Sequence, residues 1–199
     1  MRPASSWRAA VTAEFFFGAM SPYSWLAAER IGRLLPGAVW RPVFAGGLFA
    51  AAGRRSWGIT GERAARTADV EARAAAYGLG PVVWPDPWPT SDVRIARAML
   101  VAEEVGRLHA FALAAMRLAF LEGLDLAAEG AVGAACALAG LDASTTSARI
   151  KEPSVKDALR ARTDAAVAAG VIGVPTVRTA GGLFWGDDRL EEAVASAAA

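Results

Sequence analysis

A chain of 199 residues, 54% of them hydrophobic and 21% charged, is long enough for one domain with a substantial core and too apolar for a disordered protein. Its formal net charge is +1 and no Lys/Arg cluster gathers on one predicted face, so nucleic acids and anionic membranes are not expected as partners. The single cysteine and single histidine exclude an internal disulfide and a Cys/His metal site. The first ten residues lack the apolar stretch of a signal peptide, so a cytoplasmic location is expected.

The N-terminal region predicts a strand, a tight turn and a helix. Residues 11–17 (VTAEFFF) predict the strand, and residues 25–31 carry apolar side chains at helical spacing. The turn between them is Ser21-Pro22-Tyr23-Ser24. A Ser before a Pro is typical of a helix start, because the Ser caps backbone N–H groups and Pro fits the first turn. Since this helix end carries partial positive charge, Ser21 is predicted to lie where an anion such as a thiolate is stabilised.

A second strand and a long helical region follow. Residues 38–44 predict the strand, with Pro42 at a sheet edge or a strand end, and the strand–helix–strand order indicates a βαβ unit. From residue 48 to about 170 the pattern is helical, interrupted by a loop at 80–89 that is rich in proline and tryptophan. Helices are expected near residues 61–76, 90–106, 108–122, 127–139, 142–150 and 154–169. Asp92 is interpreted as a helix cap and Arg94 as a surface residue.

The C-terminal region returns to strands. Residues 173–179 and 183–185 predict two strands joined by a hairpin at Gly181-Gly182, and Asp187-Asp188 predict the cap of a final helix. The order β-α-β, helical block, α-β-β-α predicts an α/β, thioredoxin-like fold of the DsbA-like type with a large all-helical insertion. Residues 10–46 and 165–199 are expected to form the discontinuous thioredoxin-like domain, and residues 47–164 the insertion.

Three segments, in order, resemble the 2-hydroxychromene-2-carboxylate isomerases and the kappa-class glutathione transferases, both of the DsbA-like branch of the thioredoxin fold. The segments are Phe15–Leu26, Gly173–Thr176 and Phe184–Leu190. The middle of the chain matches more loosely, through Arg41-Pro42 and Gly46–Phe49. The resemblance therefore covers nearly the whole chain.

The resemblance implies a site for glutathione or another low-molecular-weight thiol. It implies that Ser21 holds the thiol sulfur as a thiolate and that Val174, before a cis Pro175, pairs through its backbone with the cysteinyl part. It assigns the γ-glutamyl end to Trp185, Gly186, Asp187 and Asp188. It also implies a homodimer.

Ser21 and Ser24 occupy the positions where disulfide oxidoreductases of this fold carry cysteines. Thiol–disulfide exchange requires a sulfur nucleophile, so dithiol redox chemistry is excluded. Cys136 lies in the helical block and is predicted to be a small buried residue. For Ser21 itself, a pure helix cap without chemistry remains the alternative.

One departure from the resembling family concerns the substrate. The family commonly has a lysine where this chain has Ala50, and Arg54 or Arg55 is the candidate to supply the missing charge. Either an arginine replaces the lysine, or the substrate differs from the usual aromatic pyruvate.

Aromatic residues are the other candidates for substrate binding. Tyr23 is predicted to line a pocket, whereas Trp25 is predicted to be a core residue. Trp84 and Trp88 either form an aromatic wall over a flat substrate or pin their loop to the helices.

These residues predict a thiol-dependent cis–trans isomerase acting on a small unsaturated substrate. The thiolate would add to a conjugated double bond, the resulting single bond would rotate, and elimination would return the thiol. The alternatives are a kappa-like glutathione transferase and a non-catalytic thiol-binding protein.

Overall fold

The structure, a computed structural model, describes residues 13–198. The first residues of the predicted N-terminal strand, Val11 and Thr12, and the region expected to lack a signal peptide lie outside them. The strands are β1 (Glu14–Phe17), β2 (Val39–Pro42), β3 (Thr176–Thr179) and β4 (Gly182–Trp185). The helices are α1 (Pro22–Leu34), α2 (Ala45–Ala51), α3 (Arg63–Ala76), α4 (Val93–Glu104), α5 (Leu108–Glu122), α6 (Ala131–Ala139), α7 (Ala143–Arg149), α8 (Pro153–Ala168) and α9 (Leu190–Ala198). Short 3-10 helices span Trp57–Ile59 and Asp187–Arg189.

The strands form one mixed sheet in the order β2-β1-β3-β4. The parallel pairing of β1 with β2 confirms the predicted βαβ unit, and Pro42 ends the edge strand β2, where a missing N–H is tolerated. Strand β3 runs antiparallel to both β1 and β4. The sheet thus joins strands from the two ends of the sequence. The domain boundaries at residues 46/47 and 164/165 stay predictions.

The two faces of the sheet bury different cores, because successive strand side chains point to opposite faces. Phe15 and Phe17 stack at 5.1 Å on one face, where Trp40 contacts both rings edge-on. This face packs against the larger core, which includes Trp25 of α1, as predicted. Phe16 faces the other way and packs with residues of α2 and α8. The helices therefore cover both faces of the sheet.

The hairpin between β3 and β4 is confirmed, but its turn lies one residue earlier than predicted. Thr179 pairs with Gly182, so the two-residue loop is Ala180-Gly181. The Gly181 N–H donates to the Thr179 hydroxyl, and the Ser196 side chain of α9 occupies the space that a Cβ on Gly181 would need. The close approach of the final helix thus favours a residue without a side chain at Gly181.

None of the helices described between residues 13 and 198 is long and apolar enough to cross a membrane.

Two leucines in helices test where the stability of the fold resides. Leu26 of α1 is 0% exposed, whereas Leu138 of α6 is 64% exposed. We expect Leu26→Ala to lower the free energy of unfolding by about 2–5 kcal/mol, because it leaves a cavity in the core. Leu138→Ala is the matched control and should change it by less than about 0.5 kcal/mol. Urea unfolding measures both, and equal losses would contradict this placement of the core.

Candidate thiol-binding site

Ser21 is the N-cap residue of α1. Its backbone is extended, and its Oγ accepts a hydrogen bond from the Ser24 N–H at 3.2 Å, with Pro22 as the first helical residue. This geometry confirms the predicted cap. The same hydroxyl donates to the Val174 carbonyl at 3.4 Å, across 153 positions of sequence. Ser21 is therefore both a cap and a contact to a distant loop.

The register of the sheet brings the three predicted motifs to one end of β1. Phe16 of β1 pairs with Thr176 of β3, and Thr176 pairs in turn with Trp185 of β4. Because these pairings are antiparallel, the residues after β1, before β3 and after β4 all lie at the same end of the strands. The Gly186 N–H donates to the Pro175 carbonyl at 2.9 Å, which links the second and third motifs directly.

The Val174–Pro175 peptide bond is cis, as the resemblance implied. Its carbonyl oxygen at Val174 receives the Ser21 hydroxyl, while the Val174 N–H donates to no atom within the described range 13–198. An extended ligand lying along this loop would find a backbone donor there. The loop can thus offer backbone pairing next to the Ser21 hydroxyl.

Trp185 and Arg54 stack beside this loop. Trp185 is 42% exposed, and the Arg54 guanidinium carbon lies 4.5 Å from its ring centroid. Gly173 allows the close approach of the ring, since a Cβ there would come within 2.7 Å of the Trp185 Nε1. Arg54, predicted to bind substrate, and Trp185, predicted to bind the thiol, are therefore neighbours, and the Arg54 guanidinium lies at the edge of the candidate site.

Asp187 does not cap the last helix with its side chain, which corrects that part of the prediction. Its carboxylate is 1% exposed and receives Arg73 Nη1 at 3.0 Å and the Tyr77 hydroxyl at 3.2 Å. Burial raises the pKa of Asp187, while the charge of Arg73 opposes this rise. Arg30 also contacts this region, donating to the Asp187 carbonyl and pairing with Glu191.

Asp188 differs from its neighbour in being open to solvent. Its side chain is 58% exposed, and its Oδ1 lies 3.7 Å from Arg73 Nη1. Of the two adjacent carboxylates, Asp188 can meet an incoming ammonium group, whereas Asp187 is already engaged. The two adjacent carboxylates therefore differ in burial and in the partners that they can meet.

The tryptophans of the proline-rich loop form a cluster with a third tryptophan that the sequence analysis missed. Trp57 lies 4.8 Å from Trp88 and 6.2 Å from Trp84, and its ring approaches Tyr23 at 6.0 Å. Trp88 is buried and donates its Nε1–H to the Met20 carbonyl, so it pins the loop to the turn before Ser21. Trp84 is half-buried and donates to Glu71. The structure thus supports the pinning alternative for Trp88.

Tyr23 follows the Ser-Pro pair and is half-buried. Its hydroxyl donates to Asp69 of α3 at 2.9 Å. Burial, followed by the Asp69 carboxylate, raises the pKa of Tyr23 to about 12, so it is a neutral phenol near neutral pH. Its ring, which faces Trp57, is therefore the part of Tyr23 that can contact a substrate.

Asp92 does not cap α4 with its side chain, which corrects the predicted cap. It stands at the N-cap position of α4 without a capping side-chain bond, and it is 2% exposed. Its Oδ2 accepts the Met20 N–H at 3.0 Å. Burial raises the pKa of Asp92 to about 6, although hydrogen bonds from Met20 and Ala19 oppose the rise. A buried carboxylate therefore lies directly behind the Ser21 turn.

Cys136 is buried in α6, as predicted, and burial raises the pKa of its thiol. Its environment is the opposite of the electropositive, accessible setting that reactive cysteines require. The serine-containing turn, and not this cysteine, is the candidate centre for sulfur chemistry.

A separate cavity of about 390 Å³ lies between the sheet and α8. Its charged lining comes from Glu14, Arg41, Arg162 and Arg178. Glu14 is the first residue of β1 and Ser21 follows its last one, so the cavity opens toward the other end of the strand. Glu14 pairs with both Arg41 and Arg178, and Arg162 with Glu103. Two arginines thus share the single carboxylate of this lining, which keeps a net positive charge.

The sequence is similar to known proteins over nearly its whole length. Residues 12–197 match the sequence profile of the DSBA-like thioredoxin domain. A 2-hydroxychromene-2-carboxylate isomerase of Sphingobium xenophagum is 27% identical over 193 residues, covering 90% of this chain and 94% of that protein.

Solved structures show the same fold. A 2-hydroxychromene-2-carboxylate isomerase superposes with a TM-score of 0.81 at 21% identity, covering 90% of each chain. A probable DsbA oxidoreductase from Streptomyces coelicolor superposes with a TM-score of 0.69 at 24% identity, covering 94% of this chain and 89% of that one. Together these similarities confirm the predicted thioredoxin-like, DsbA-like fold and the family resemblance.

The two aspartates after β4 should differ in their effects on stability. We expect Asp187→Asn to lower the free energy of unfolding by about 1–3 kcal/mol, because an amide has one acceptor oxygen where the carboxylate accepts from both Arg73 and Tyr77 in a buried setting. Asp188→Asn, one residue away and exposed, should change it by less than about 0.5 kcal/mol. Urea unfolding at pH 7 compares them. A larger loss for Asp188→Asn would show that the roles are reversed.

The free energy of unfolding should depend on pH through the ionisation of Asp92. Its folded-state pKa, about 6, lies above the unfolded value of 3.8, so the folded state binds the proton more tightly. The stabilisation that protonated Asp92 gives the folded state is fully present below pH 4 and is lost as the pH rises through 6. The free energy of unfolding of Asp92→Asn does not contain this loss. We therefore expect it to rise by about 2–3 kcal/mol relative to that of the unmodified protein as the pH goes from 4 to 7. Urea unfolding across this range measures the difference, and parallel pH curves would contradict the assignment.

Proposed function

The chain belongs to the DSBA-like thioredoxin domain family, and on this basis we propose that it is a thiol-dependent cis–trans isomerase resembling 2-hydroxychromene-2-carboxylate isomerase, with glutathione or another low-molecular-weight thiol as cofactor. One observation carries the proposal. The Ser21 hydroxyl meets the backbone of the cis-proline loop at the N-terminus of α1, with serine at both positions where redox relatives have cysteine. This is a thiol-holding geometry without a redox-active dithiol.

Ser21 holds the thiol sulfur in this proposal. In the described structure its hydroxyl proton points to the Val174 carbonyl, and it can turn to a sulfur placed between the helix and the loop. The N-terminus of α1 adds partial positive charge there, and both effects favour the thiolate. The backbone of Val174 would pair with the cysteinyl part of the thiol.

The γ-glutamyl end of glutathione would lie toward β4. The exposed carboxylate of Asp188 is suited to its ammonium group, and Arg73, 3.7 Å from Asp188, is suited to its carboxylate. Trp185 and Gly186 would line the path between them. Asp187 contributes indirectly, since its pairing with Arg73 and Tyr77 holds the guanidinium in place.

The reaction needs no net change in the thiol. The thiolate sulfur adds to the carbon β to a carbonyl group, and the electron pair of the double bond moves to the carbonyl oxygen as an enolate. The former double bond is now single and rotates. The enolate then reforms the double bond and expels the thiolate, which returns the cofactor and the other isomer.

Arg54 is the candidate partner for the carboxylate or the enolate oxygen of the substrate. It lies on the exposed ring of Trp185, at the edge of the thiol site, while Ala50 occupies the position of the family's usual lysine. A guanidinium can bind a carboxylate through two parallel hydrogen bonds, which an ammonium cannot. The ring of Tyr23 and the tryptophans Trp57 and Trp84 would contact the apolar part of a small unsaturated substrate.

A kappa-like glutathione transferase is the second candidate function, because the same site would also activate a thiol for attack on an electrophile. A non-catalytic thiol-binding protein is the third. Consumption of thiol separates the first two, since a transferase depletes it and an isomerase does not. A homodimer, a cytoplasmic location and the choice of thiol stay predictions.

Ser21→Ala tests the thiol site. We expect it to lower kcat/KM for isomerisation of 2-hydroxychromene-2-carboxylate in the presence of glutathione by about 10²–10³-fold, because it removes a hydrogen-bond donor to the developing thiolate. The matched control, Cys136→Ala, removes the chain's own thiol from a buried helix and should leave the rate within about twofold. Absorbance follows the substrate, and a thiol reagent follows free glutathione.

Three outcomes would contradict the proposal in different ways. Isomerisation without added thiol would remove the cofactor from the mechanism. Stoichiometric loss of free thiol would favour the transferase. Absence of glutathione binding by calorimetry, together with no effect of Ser21→Ala on any activity, would remove the thiol site itself.

A further inference from the structure

The residue before Ser21 is held from both sides by the helical insertion. The Met20 N–H donates to Asp92 Oδ2 at 3.0 Å, and its carbonyl accepts the Trp88 Nε1–H at 3.3 Å. Asp92 and Trp88 both belong to the short stretch that leads into α4. Because adjacent Cα atoms are about 3.8 Å apart, fixing both polar groups of Met20 also fixes the start of the Ser21 turn.

Asp92 has no cationic partner among the residues that the structure describes. The segment that its carboxylate contacts, Gly18–Ser21, contains no charged side chain. On its own helix, Arg94 donates to the Glu129 carbonyl, and Arg97 makes no bond to Asp92. The nearby Asp125 is bound by Thr90 and by the Ala127 N–H.

This arrangement is costly for a residue that only has to hold a turn. A buried carboxylate without a counter-ion loses its hydration and gains little in return, whereas a neutral amide of the same shape could accept the Met20 N–H at lower cost. Uncompensated buried charges of this kind are concentrated at functional sites. The position of Asp92, directly behind the thiol-holding turn, indicates which function the charge serves.

We propose that Asp92 is a positioning residue for the thiol site: its carboxylate fixes the Ser21 turn through Met20 and places a negative charge behind the turn that keeps the bound thiolate reactive. This inference rests on the proposed thiol-dependent function. Ser21 and the N-terminus of α1 stabilise the thiolate, and too much stabilisation makes a thiolate a poor nucleophile. The charge of Asp92 opposes that stabilisation.

The size of the effect follows from distance. The Asp92 carboxylate contacts Met20, the residue before Ser21, so its charge and the bound sulfur are separated by roughly 8–10 Å. At an effective dielectric constant of about 20, two charges at this separation change each other's ionisation constants by about 15–30-fold. Asp92→Asn should therefore lower the pKa of bound glutathione by about 1.2–1.5, and lower the plateau of kcat about fourfold as nucleophilicity falls.

The experiment measures the pKa of two thiols at the turn: that of bound glutathione, and that of a cysteine introduced at position 21. Absorbance of the thiolate near 240 nm gives the pKa of glutathione bound to the unmodified protein and to Asp92→Asn. In parallel, a Ser21→Cys substitution in a Cys136→Ala background places a thiol at the turn itself. The pH dependence of its alkylation by iodoacetamide gives the pKa of that thiol, with and without Asp92→Asn.

A matched variant separates charge from mere support. Trp88→Phe removes the hydrogen bond to the Met20 carbonyl but leaves the Asp92 carboxylate, so it should change the thiol pKa by less than about 0.3. If Asp92 only supported the turn, Asp92→Asn and Trp88→Phe would act alike on both thiols.

The two proposals fail in distinguishable ways. A thiol at position 21 whose alkylation profile is the same with and without Asp92→Asn would overturn the role of Asp92, whether or not glutathione binds. A change of at least tenfold in that thiol's ionisation constant, together with no glutathione binding to the unmodified protein, would support Asp92 and overturn glutathione as the cofactor.

Discussion

The pairing of β1 with β3 is the interaction on which the site depends. These strands lie about 160 residues apart in sequence, and their antiparallel register sets the Ser21 turn beside the cis Val174–Pro175 loop. Strand β4 continues the same pairing, so Trp185 and Gly186 lie at the same end of the strands as the Ser21 turn. A slip of one residue would turn every side chain of the strand to the opposite face and separate the three motifs. Burial of Phe15 and Phe17 on one face and Phe16 on the other opposes such a slip.

The helical insertion is part of the site and not only a cover for the sheet. Trp88 and Asp92 hold Met20 from one side of the turn, while Arg73 and Tyr77 of α3 bind Asp187 from the other. The sheet thus supplies the serine and the backbone groups of the candidate site, and the helical region between β2 and β3 supplies the charged residues around them.

Replacing a cysteine by a serine changes what the same helix terminus does. A cysteine there would itself become the thiolate and exchange disulfides. Ser21 instead offers a hydroxyl that accepts from the Ser24 N–H and donates across to Val174, so it can donate equally to a sulfur brought by a ligand. In the proposed function, the partial charge of α1 that would activate a cysteine stabilises a bound thiol, and the serine excludes dithiol exchange.

The sequence by itself determined the features that depend on neighbouring residues. Ser21 caps α1 because a Ser before a Pro satisfies the free N–H groups of the first turn, and the β3–β4 hairpin follows from its glycines. Asp92 and Asp187 were misassigned because a polar residue ahead of a helix normally caps it, and their true partners, Met20 and Arg73, lie 72 and 114 positions away. Only the tertiary structure decided their roles, since burial and long-range pairing arise from packing that no local pattern records.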